Sequence, residues 1–500
     1  MSNANRAPFQ QLQLWCPSKT VDRVARACLG TVRAFATRPE FTPWMENKDS
    51  DLARVLAKYD RLVDWERRDR TAMKVDIAPL GDLLHQLNNP QKKFRTIHIA
   101  GTKGKGSVGA LIEAGLHRAG LACGRFSSPH VERITERVTF GGQEISEPML
   151  ASMLNQAWLV RERALLNSEP GGNTTRFDLE TLAAILAFVE AKVSWAVIEC
   201  GLGGRTDSTN VIDGEVCVLT NVELEHTAVL GNSHSAIAFQ KVGILKPGAT
   251  MITGVAPDSE AGQIVSAEAQ KLGCPVVFCS PRPDETIAEI NTRLAQNVLD
   301  EIGRRGVTAQ DPQFSKRPIG GWLLDESTQL RAGLPGRMEG FELPVSGDIT
   351  GPRNRKSIPV ILDGAHVPFN LAAVLRDLRR IWELAGFFAV VFGTGRDKQA
   401  LAMLDLLKQN RVDAVICTQA GSDVRPWTAH ELRQFAGELG LTTKDIPEPR
   451  DAFMQARALV AGRGWILVTG SLRLVGEVRS IIRELGAEPR RFSCAVERVE

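Results

Sequence analysis

One short stretch of the chain combines glycines and lysines in a pattern that can bind phosphate. Residues 97–108 read IHIAGTKGKGSV, an apolar run followed by a glycine-rich loop and then by a helical pattern. In such a strand–loop–helix unit, main-chain N–H groups point into one cavity, and the helix N-terminus adds positive potential. Lys105 is placed to reach the terminal phosphates of a nucleotide triphosphate.

The loop departs from the commonest phosphate-loop spacing, G-x-x-x-x-G-K-[ST], because Gly106 separates Lys105 from Ser107. A glycine-rich turn without a ligand is therefore an alternative interpretation of this segment taken alone. The choice between the two depends on polar residues elsewhere in the chain.

Three polar side chains follow probable strands further along the chain. They are Ser128 in FSSPHVER, Glu199 in VIECGLGG and His226 in NVELEHTAV. Ligand groups of α/β proteins gather at the carboxyl ends of parallel strands. A hydroxyl, a carboxylate and an imidazole beside a triphosphate loop suit Mg²⁺, with phosphate oxygens and waters completing the octahedron. Taken singly, they are a helix cap, an ion-pair partner and a structural histidine in the alternative interpretation.

Seven short apolar runs alternate with helical patterns and must position these groups. They read FRTIHIAG, SWAVIECG and EVCVLTNV in the first part of the chain, and PVILDGAH, FFAVVFGT, DAVICTQ and WILVTG in the second. Alternation of this kind is typical of parallel α/β sheets. A poorly patterned stretch, roughly 280–350, separates the two groups. The sequence therefore predicts an α/β protein with two doubly wound domains, an N-terminal P-loop ATPase-like one and a smaller, Rossmann-like C-terminal one.

We expect an N-terminal extension at 1–45, an ATP-binding domain at 46–345 and a C-terminal domain at 346–500. The chain has 61 Lys and Arg against 58 Asp and Glu, a net charge of +3 that favours neither nucleic acid nor a membrane as partner. Its nine cysteines form no C-x-x-C pair and fit reduced thiols. No apolar run reaches the roughly 18–20 residues of a membrane span. We expect a cytoplasmic protein, although the arginines among the first forty residues also fit a transit peptide.

Eight segments of the chain, taken in order, carry a resemblance to a known family. They are HIAGTKGKGSV, SSPHVERITERV, IECGLGGRTDSTNVI, LEHTAVLG, QKVGILKPG, LPGRMEGFE, ILDGAHVPFN and GSLRLVGEVR. Together they resemble the folylpolyglutamate synthases, the folate branch of the Mur ligase family. The resemblance extends from about residue 89 to about residue 476 and weakens around 295–330. The family loop has the form G-T-x-G-K-G-S, which accounts for the unusual spacing.

The resemblance implies an ATP-dependent ligase that adds L-glutamate to the glutamate tail of a reduced folate. The implied phosphate ligands are Thr102, Gly104, Lys105, Gly106 and Ser107, and the implied magnesium ligands are Ser128, Glu199 and His226. Asn291, Arg337 and Asp363 resemble further ATP-binding positions, the last two across an interdomain cleft. Lys241 matches a lysine that is carbamylated in this family, which would turn a cation into an oxygen ligand.

The implied reaction transfers the γ-phosphoryl group of ATP to the folate carboxylate and gives an acyl phosphate, which the amine of glutamate then attacks. Lys105 and Mg²⁺ would neutralise charge on the transferring group. The attacking amine must be neutral, so a base is expected. Asp363 and His366, in the C-terminal glutamate-ligase domain, are the best candidates for receiving the glutamate. In the alternative interpretation, Asp363 caps the next helix and His366 merely packs.

The chain departs from the family pattern at several positions. Glu225 stands before His226 where aspartate is common, and Val367 follows His366 where asparagine is common. Val367 lacks an amide that could form hydrogen bonds with the neighbouring loop or with the incoming amino acid. Phe177 and Asp178 resemble a phenylalanine–acid pair of the pteroate pocket, in which glutamate is commoner than aspartate.

Two alternatives within the ligases stay open, a bifunctional dihydrofolate synthase/folylpolyglutamate synthase and another Mur-type amino-acid ligase. A peptidoglycan-type ligase should carry an N-terminal domain for a UDP-sugar, for which residues 1–88 are short. A switch GTPase should carry the guanine-reading motif N-K-x-D, which this sequence lacks. We expect a monomer whose partners are small molecules.

Overall fold

The computed structural model describes residues 50–66, 76–314, 316–345, 357–381, 384–421, 425–461 and 463–489. The predicted N-terminal extension, residues 1–45, lies outside the described residues. No helix in the described ranges has both the length and the apolar character that crossing a membrane requires. All six cysteines within these ranges are buried free thiols, as the sequence predicts for them.

The strands occupy two groups along the chain. They are β1 (Arg95–Ala100), β2 (Cys123–Phe126), β3 (Val138–Phe140), β4 (Gln143–Glu144), β5 (Trp195–Glu199), β6 (Val216–Leu219), β7 (Thr250–Thr253), β8 (Val276–Phe278), β9 (Glu339–Pro344), β10 (Ser357–Leu362), β11 (Phe387–Phe392), β12 (Ala414–Cys417), β13 (Thr443–Asp445), β14 (Gly464–Thr469) and β15 (Glu488–Pro489).

Helices connect most of these strands. The α-helices are α1 (Asp51–Tyr59), α2 (Ala78–Gln86), α3 (Lys105–Arg118), α4 (Glu147–Leu166), α5 (Arg176–Glu190), α6 (Thr227–Leu230), α7 (His234–Val242), α8 (Glu260–Leu272), α9 (Ile287–Arg304), α10 (Glu326–Arg331), α11 (Pro368–Ile381), α12 (Ala400–Gln409), α13 (Ala429–Glu438), α14 (Pro449–Val460) and α15 (Leu472–Glu484). Short 3₁₀ turns lie at Pro90–Lys93, Ile134–Arg137, Pro170–Asn173, Ser208–Val211, Pro312–Phe314 and Gly321–Leu323.

The strands form two sheets. The first has the order β4-β3-β2-β5-β1-β6-β7-β8 and is parallel from β2 to β8, with β3 and β4 added antiparallel at one edge. The second has the order β13-β12-β11-β14-β10-β9-β15, in which β9 pairs antiparallel with both of its neighbours. This arrangement confirms the predicted α/β class with two doubly wound domains.

All seven apolar runs that the sequence predicts as strands occupy central positions in these sheets. They form β1, β5 and β6 in the first sheet and β10, β11, β12 and β14 in the second. Central parallel strands are covered by helices on both faces, so their residues are apolar almost without interruption. The domain limit at 345/346 stays a prediction, because residues 346–356 are not described and β9, before the limit, pairs with β10, after it.

The stretch at 280–350, poorly patterned in sequence, contains the long helix α9. Its residues Leu294 and Leu299 share a core cluster with Ile97 of β1 and Ile112 of α3. Close packing of α9 on α3 depends on Gly115, because a Cβ there would lie 2.6 Å from Leu299 Cδ1. Segments rich in proline, glycine and charge on both sides of α9 obscure its helical periodicity in the sequence.

Candidate active site between the two sheets

The phosphate loop joins β1 to α3 and is held by residues that follow β6, the next strand in the sheet. The N–H of Lys103 donates to Asn221 Oδ1 at 2.9 Å, and its carbonyl accepts from Thr220 Oγ1 at 2.6 Å and from Asn221 Nδ2 at 3.1 Å. Gly104 has φ 82°, a left-handed conformation that favours glycine, and directly precedes α3. The first N–H groups of α3 have no partner within the helix, so they can bind an anion.

Lys105 is the first residue of α3, and its ammonium lies at the loop. Nζ donates to the carbonyl of Gly101 at 3.2 Å and lies 3.8 Å from Glu199 Oε1. Glu199 ends β5, the strand on the other side of β1, and is buried. Burial raises the pKa of the Glu199 carboxyl, while Lys105 and a hydrogen bond from the main chain of Ser128 act against this rise. Four adjacent strands thus bring the predicted groups to one edge of the first sheet.

Lys241 and His226 line a small cavity behind the phosphate loop, together with Lys105 and Glu225. Lys241 is buried, and its Nζ donates to the same Gly101 carbonyl at 2.9 Å. Burial, and after it the nearby Lys105 charge, lower the pKa of Lys241 to about 7. A substantial fraction of Lys241 is therefore a neutral amine near neutral pH.

The donor set fits a metal ion that also binds phosphate. Within the described ranges, no three His, Cys, Asp or Glu side chains are grouped closely enough to hold a metal ion by themselves. Of the predicted ligands, Glu199 lies 3.8 Å from Lys105, His226 lines the cavity at the phosphate loop, and the main chain of Ser128 donates to Glu199. A magnesium ion commonly keeps several waters and takes one or two carboxylates plus substrate phosphates, which agrees with so small a set of protein donors.

The remaining predicted phosphate ligands lie on the same loop. The hydroxyl oxygen of Thr102 accepts a hydrogen bond from the N–H of Glu223 at 3.0 Å. Gly106 and Ser107 are half-buried in the first turn of α3. A Cβ at Gly106 would lie 3.3 Å from Glu199 Oε2, so glycine leaves room at this point.

Asn291 and Arg337 are predicted ATP-binding residues. Asn291 lies beside the phosphate loop, and Arg337 lies beside the loop that follows β10 in the second sheet. Asn291 is on α9, and its Oδ1 would lie 2.7 Å from a Cβ at Gly104, so its amide is close to the phosphate loop. Arg337 donates through Nη1 to the carbonyl of Gly336 at 3.2 Å, and the same nitrogen lies beside Gly364.

Asp363 directly follows β10 in the second sheet and shapes the loop that carries His366. Its Oδ1 accepts from the N–H of Ala365 at 2.9 Å and its Oδ2 from the N–H of Met338 at 2.9 Å. Both carboxylate oxygens are therefore used by main-chain groups before α11, and this differs from the alternative in which Asp363 caps that helix. Burial raises the pKa of the Asp363 carboxyl, and the Arg337 charge opposes the rise.

His366 brings the second sheet into contact with the phosphate loop. Its Nε2 lies 2.8 Å from Lys103 Nζ and 3.2 Å from Glu225 Oε1, and its Nδ1 lies 2.8 Å from the carbonyl of Gly364. Burial, followed by the Lys103 charge, lowers the pKa of His366 to about 4. The ring is thus neutral at neutral pH and does more than pack.

The carboxylate of Glu225 contacts residues of both domains. Lys103 donates to it at 3.0 Å, and Lys398, on the loop after β11, lies 3.5 Å from its Oε1. Burial alone would raise the pKa of this carboxyl, but the hydrogen bond with His366 and the Lys103 charge hold it well below its usual range.

Phe177 and Asp178, the predicted phenylalanine–acid pair, have different surroundings in the structure. The carboxylate of Asp178 accepts from the N–H and the hydroxyl of Thr175, at 2.7 and 2.8 Å, and thereby caps α5. Phe177 faces the loop after β5, because a Cβ at Gly201 would lie 2.7 Å from its ring.

Sequence reasoning assigned no role to Lys103 or Lys398 and treated Glu225 only as a departure from the family pattern. The only hints in the sequence were that the phosphate loop contains Lys103 in addition to Lys105, and that an acid, Glu225, directly precedes His226. Nothing in the local pattern connects these residues with positions 366 and 398.

The chain is similar to several known proteins. A profile of the Mur ligase family, for the glutamate ligase domain, matches residues 351–472. A folylpolyglutamate synthase of Lacticaseibacillus casei is 30% identical over 445 residues, which cover 83% of this chain and 96% of the relative. A dihydrofolate synthase/folylpolyglutamate synthase of Bacillus subtilis is 27% identical, over 83% of this chain and 97% of its own length.

A solved structure gives the same result for the fold. It is the bifunctional folylpolyglutamate synthase/dihydrofolate synthase of Yersinia pestis complexed with AMPPNP and Mn ion, with a TM-score of 0.67 and 25% identity over 88% of this chain and 100% of that one. The similarity to the Lacticaseibacillus relative over nearly its whole length decides the family. This chain belongs to the folylpolyglutamate synthases of the Mur ligase family.

Proposed function

We propose that this chain is an ATP-dependent ligase that adds L-glutamate to the glutamate tail of a reduced folate. The observation that carries the proposal is the 2.8 Å contact between Lys103 Nζ of the phosphate loop and Nε2 of His366. The two loops follow strands of different sheets, so one centre can bring a triphosphate and an incoming amine together. The names of the relatives supply the substrate class.

In the first step, a carboxylate oxygen of the folate attacks the γ-phosphorus of ATP, the bond to the bridging oxygen breaks, and ADP leaves. The phosphate loop would hold the phosphates through its N–H groups, and Lys105 would neutralise charge on the transferring oxygens. Mg²⁺, held by Ser128, Glu199 and His226, would supply further positive charge at the same oxygens. Asn291 would bind the nucleotide beside the phosphate loop, and Arg337 and Asp363 would bind it from the other side.

In the second step, the amine of glutamate attacks the acyl carbon, and inorganic phosphate leaves. The nitrogen must lose a proton, and Nε2 of His366, an unprotonated ring nitrogen beside the phosphate loop, is the proposed acceptor. Asp363 supports this role because it shapes the loop from which His366 projects.

Lys241 has the properties needed for carbamylation. Its amine is buried and has a pKa of about 7, so the neutral form that reacts with carbon dioxide is present near neutral pH. A carbamate would replace a positive charge by an anionic oxygen ligand next to the proposed metal site.

The function is tested by incubating the protein with ATP, Mg²⁺, L-glutamate and tetrahydrofolate, and in parallel with dihydropteroate. We expect a tetrahydrofolate product heavier by one glutamyl residue, with one ADP and one phosphate formed per bond. A product from dihydropteroate as well would identify the bifunctional enzyme. No glutamylated product from either substrate would contradict the proposal.

A further inference from the structure

Lys103 belongs to the phosphate loop, yet its ammonium contacts groups outside that loop. Nζ lies 3.0 Å from each carboxylate oxygen of Glu225 and 2.8 Å from Nε2 of His366. Its main chain makes three hydrogen bonds with Thr220 and Asn221, so the side chain extends from a rigid base. Lys103, a residue of the proposed phosphate-binding loop, therefore contacts His366 on the loop that would receive glutamate.

The two ring nitrogens of His366 have partners of different kinds. Nδ1 faces the carbonyl of Gly364, which only accepts, so Nδ1 carries the proton. Nε2 faces the Lys103 ammonium, which only donates, and the Glu225 carboxylate, which only accepts. With Lys103 present, Nε2 accepts its hydrogen bond and stays unprotonated. Without Lys103, the neighbouring carboxylate would raise the pKa of the ring.

We propose that Lys103 is a positioning residue that keeps Nε2 of His366 unprotonated, beside the phosphate loop, until the ammonium of glutamate replaces it as the donor. This inference rests on the function proposed above. Glu225 and Nε2 of His366 together accept hydrogen bonds from the Lys103 ammonium. The same two acceptors suit the ammonium of an amino acid, so replacing one ammonium by the other conserves the number of hydrogen bonds.

The charges around His366 agree with this role. The charged groups facing the ring are Lys103 and Glu225 on the first domain and Lys398 on the loop after β11. Burial lowers the pKa of Lys103 to about 8, which leaves it mainly charged at neutral pH. Lys398 lies 3.5 Å from the same Glu225 oxygen and contacts Asp397 on its other side. It is therefore a matched cation whose hydrogen bond goes to Glu225 and not to the ring.

The test compares K103M with K398M in the full-length, substrate-free protein. Histidine ¹⁵N resonances report the tautomer and charge of each ring, and H366Q assigns the signal of His366. We expect wild-type protein and K398M to show a neutral Nδ1–H ring at neutral pH. In K103M the titration midpoint of His366 should rise by about one pH unit or more, because a cation is lost and a carboxylate stays. K103Q, which keeps a donor, should shift this midpoint less than K103M does.

Kinetics provide the second measurement. In K103M, the acid limb of the pH profile of kcat/KM for glutamate should move up by the same amount, about one pH unit, because a protonated Nε2 cannot accept from the ammonium of glutamate. Formation of the acyl phosphate without glutamate, trapped by hydroxylamine, should change less than about threefold, since Lys105 is untouched. If K103M matches K398M in both the spectrum and the glutamate kinetics, the inference is wrong while the ligase assignment stands. An inactive wild-type protein with a neutral His366 would instead contradict the proposed function.

Discussion

The two sheets present their carboxyl edges to one site, but they hold their functional groups by different means. At the first edge, side chains depend on one another, since Lys105 lies 3.8 Å from Glu199 and both Lys105 and Lys241 donate to a single carbonyl. At the second edge, Asp363 and His366 are positioned by main-chain groups of Met338, Gly364 and Ala365. At the first edge, neighbouring charged side chains therefore influence one another's position and pKa. At the second edge, main-chain hydrogen bonds fix the conformation of the loop that carries the functional side chains.

The relative position of the two edges is set by contacts away from the site. Arg479 of α15 bonds Glu132 of the first domain at 2.8 Å and Glu339 of β9 at 2.8 Å. The carboxylate of Asp377 in α11 accepts from the N–H of Ile287 at the start of α9 at 2.6 Å. Variants within the site therefore leave these two interdomain contacts in place, which allows the two edges to be tested separately.

The largest effect is expected from removing the central charge of the first edge. In Lys105→Ala, turnover should fall about 10²–10³-fold, because the transferring phosphoryl oxygens lose a preorganised cation. The measurement is ADP release under saturating substrates, with circular dichroism to show an intact fold. Lys271→Ala, at an exposed ion pair with Glu268 on α8, is the matched control and should be unchanged. Near-normal turnover of Lys105→Ala would exclude the loop as the phosphate site.

At the second edge, we expect a substitution to reduce ligation by displacing the loop and not by removing a charge. In Asp363→Ala the N–H groups of Met338 and Ala365 lose their acceptor, and ligation should fall about a hundredfold, the loss typical of a misplaced reacting group. Nucleotide binding, followed by titration with a fluorescent ATP analogue, should weaken less than ligation. Asp413→Ala removes another aspartate that accepts a main-chain N–H, from Phe388, at the opposite end of the second sheet, and should leave ligation near normal. Equal losses in both variants would contradict the distinction between the edges.

The metal-binding role of the first edge predicts an effect on magnesium dependence. In Glu199→Gln and His226→Ala the magnesium concentration for half-maximal activity should rise about tenfold or more, because one ligand is lost. His430→Ala, an exposed histidine beside Asp445 in the second domain, serves as control. Superimposable magnesium titrations of wild type and both site variants would remove these residues from the metal site.

The smallest effect concerns Lys241 and its pH dependence. Its pKa of about 7 lies below the ordinary lysine value, so the reactive neutral amine is present above pH 7 and is lost as the pH falls through that value. Protein in ¹³C-bicarbonate should show a carbamate resonance that grows through about pH 7 and is absent from Lys241→Met. Removal of bicarbonate should lower activity several-fold. A resonance that persists in Lys241→Met would assign the carbamate to another amine.

Much of the first edge could be predicted from the sequence because its parts are local. The phosphate loop, Ser128, Glu199 and His226 each follow a segment that forms a strand, and parallel strands place such positions at one edge. The helix α9 was harder to recognise between irregular segments, although Asn291 on it had been singled out. The roles of Lys103 and Glu225 were missed because their partners are more than a hundred residues away.

By itself, the sequence determined the fold class, most of the strands that carry the site, and the chemical types available there, because these depend on local periodicity and on residue spacing. The tertiary structure decided which groups share a hydrogen bond across the two domains. His366 and Lys398 reach Glu225 only because of the packing orientation of two separate sheets, which many weak, distant contacts set together. The burial that moves the pKa values of Lys241, Lys103 and His366 likewise exists only in the folded chain, since it depends on what surrounds each group.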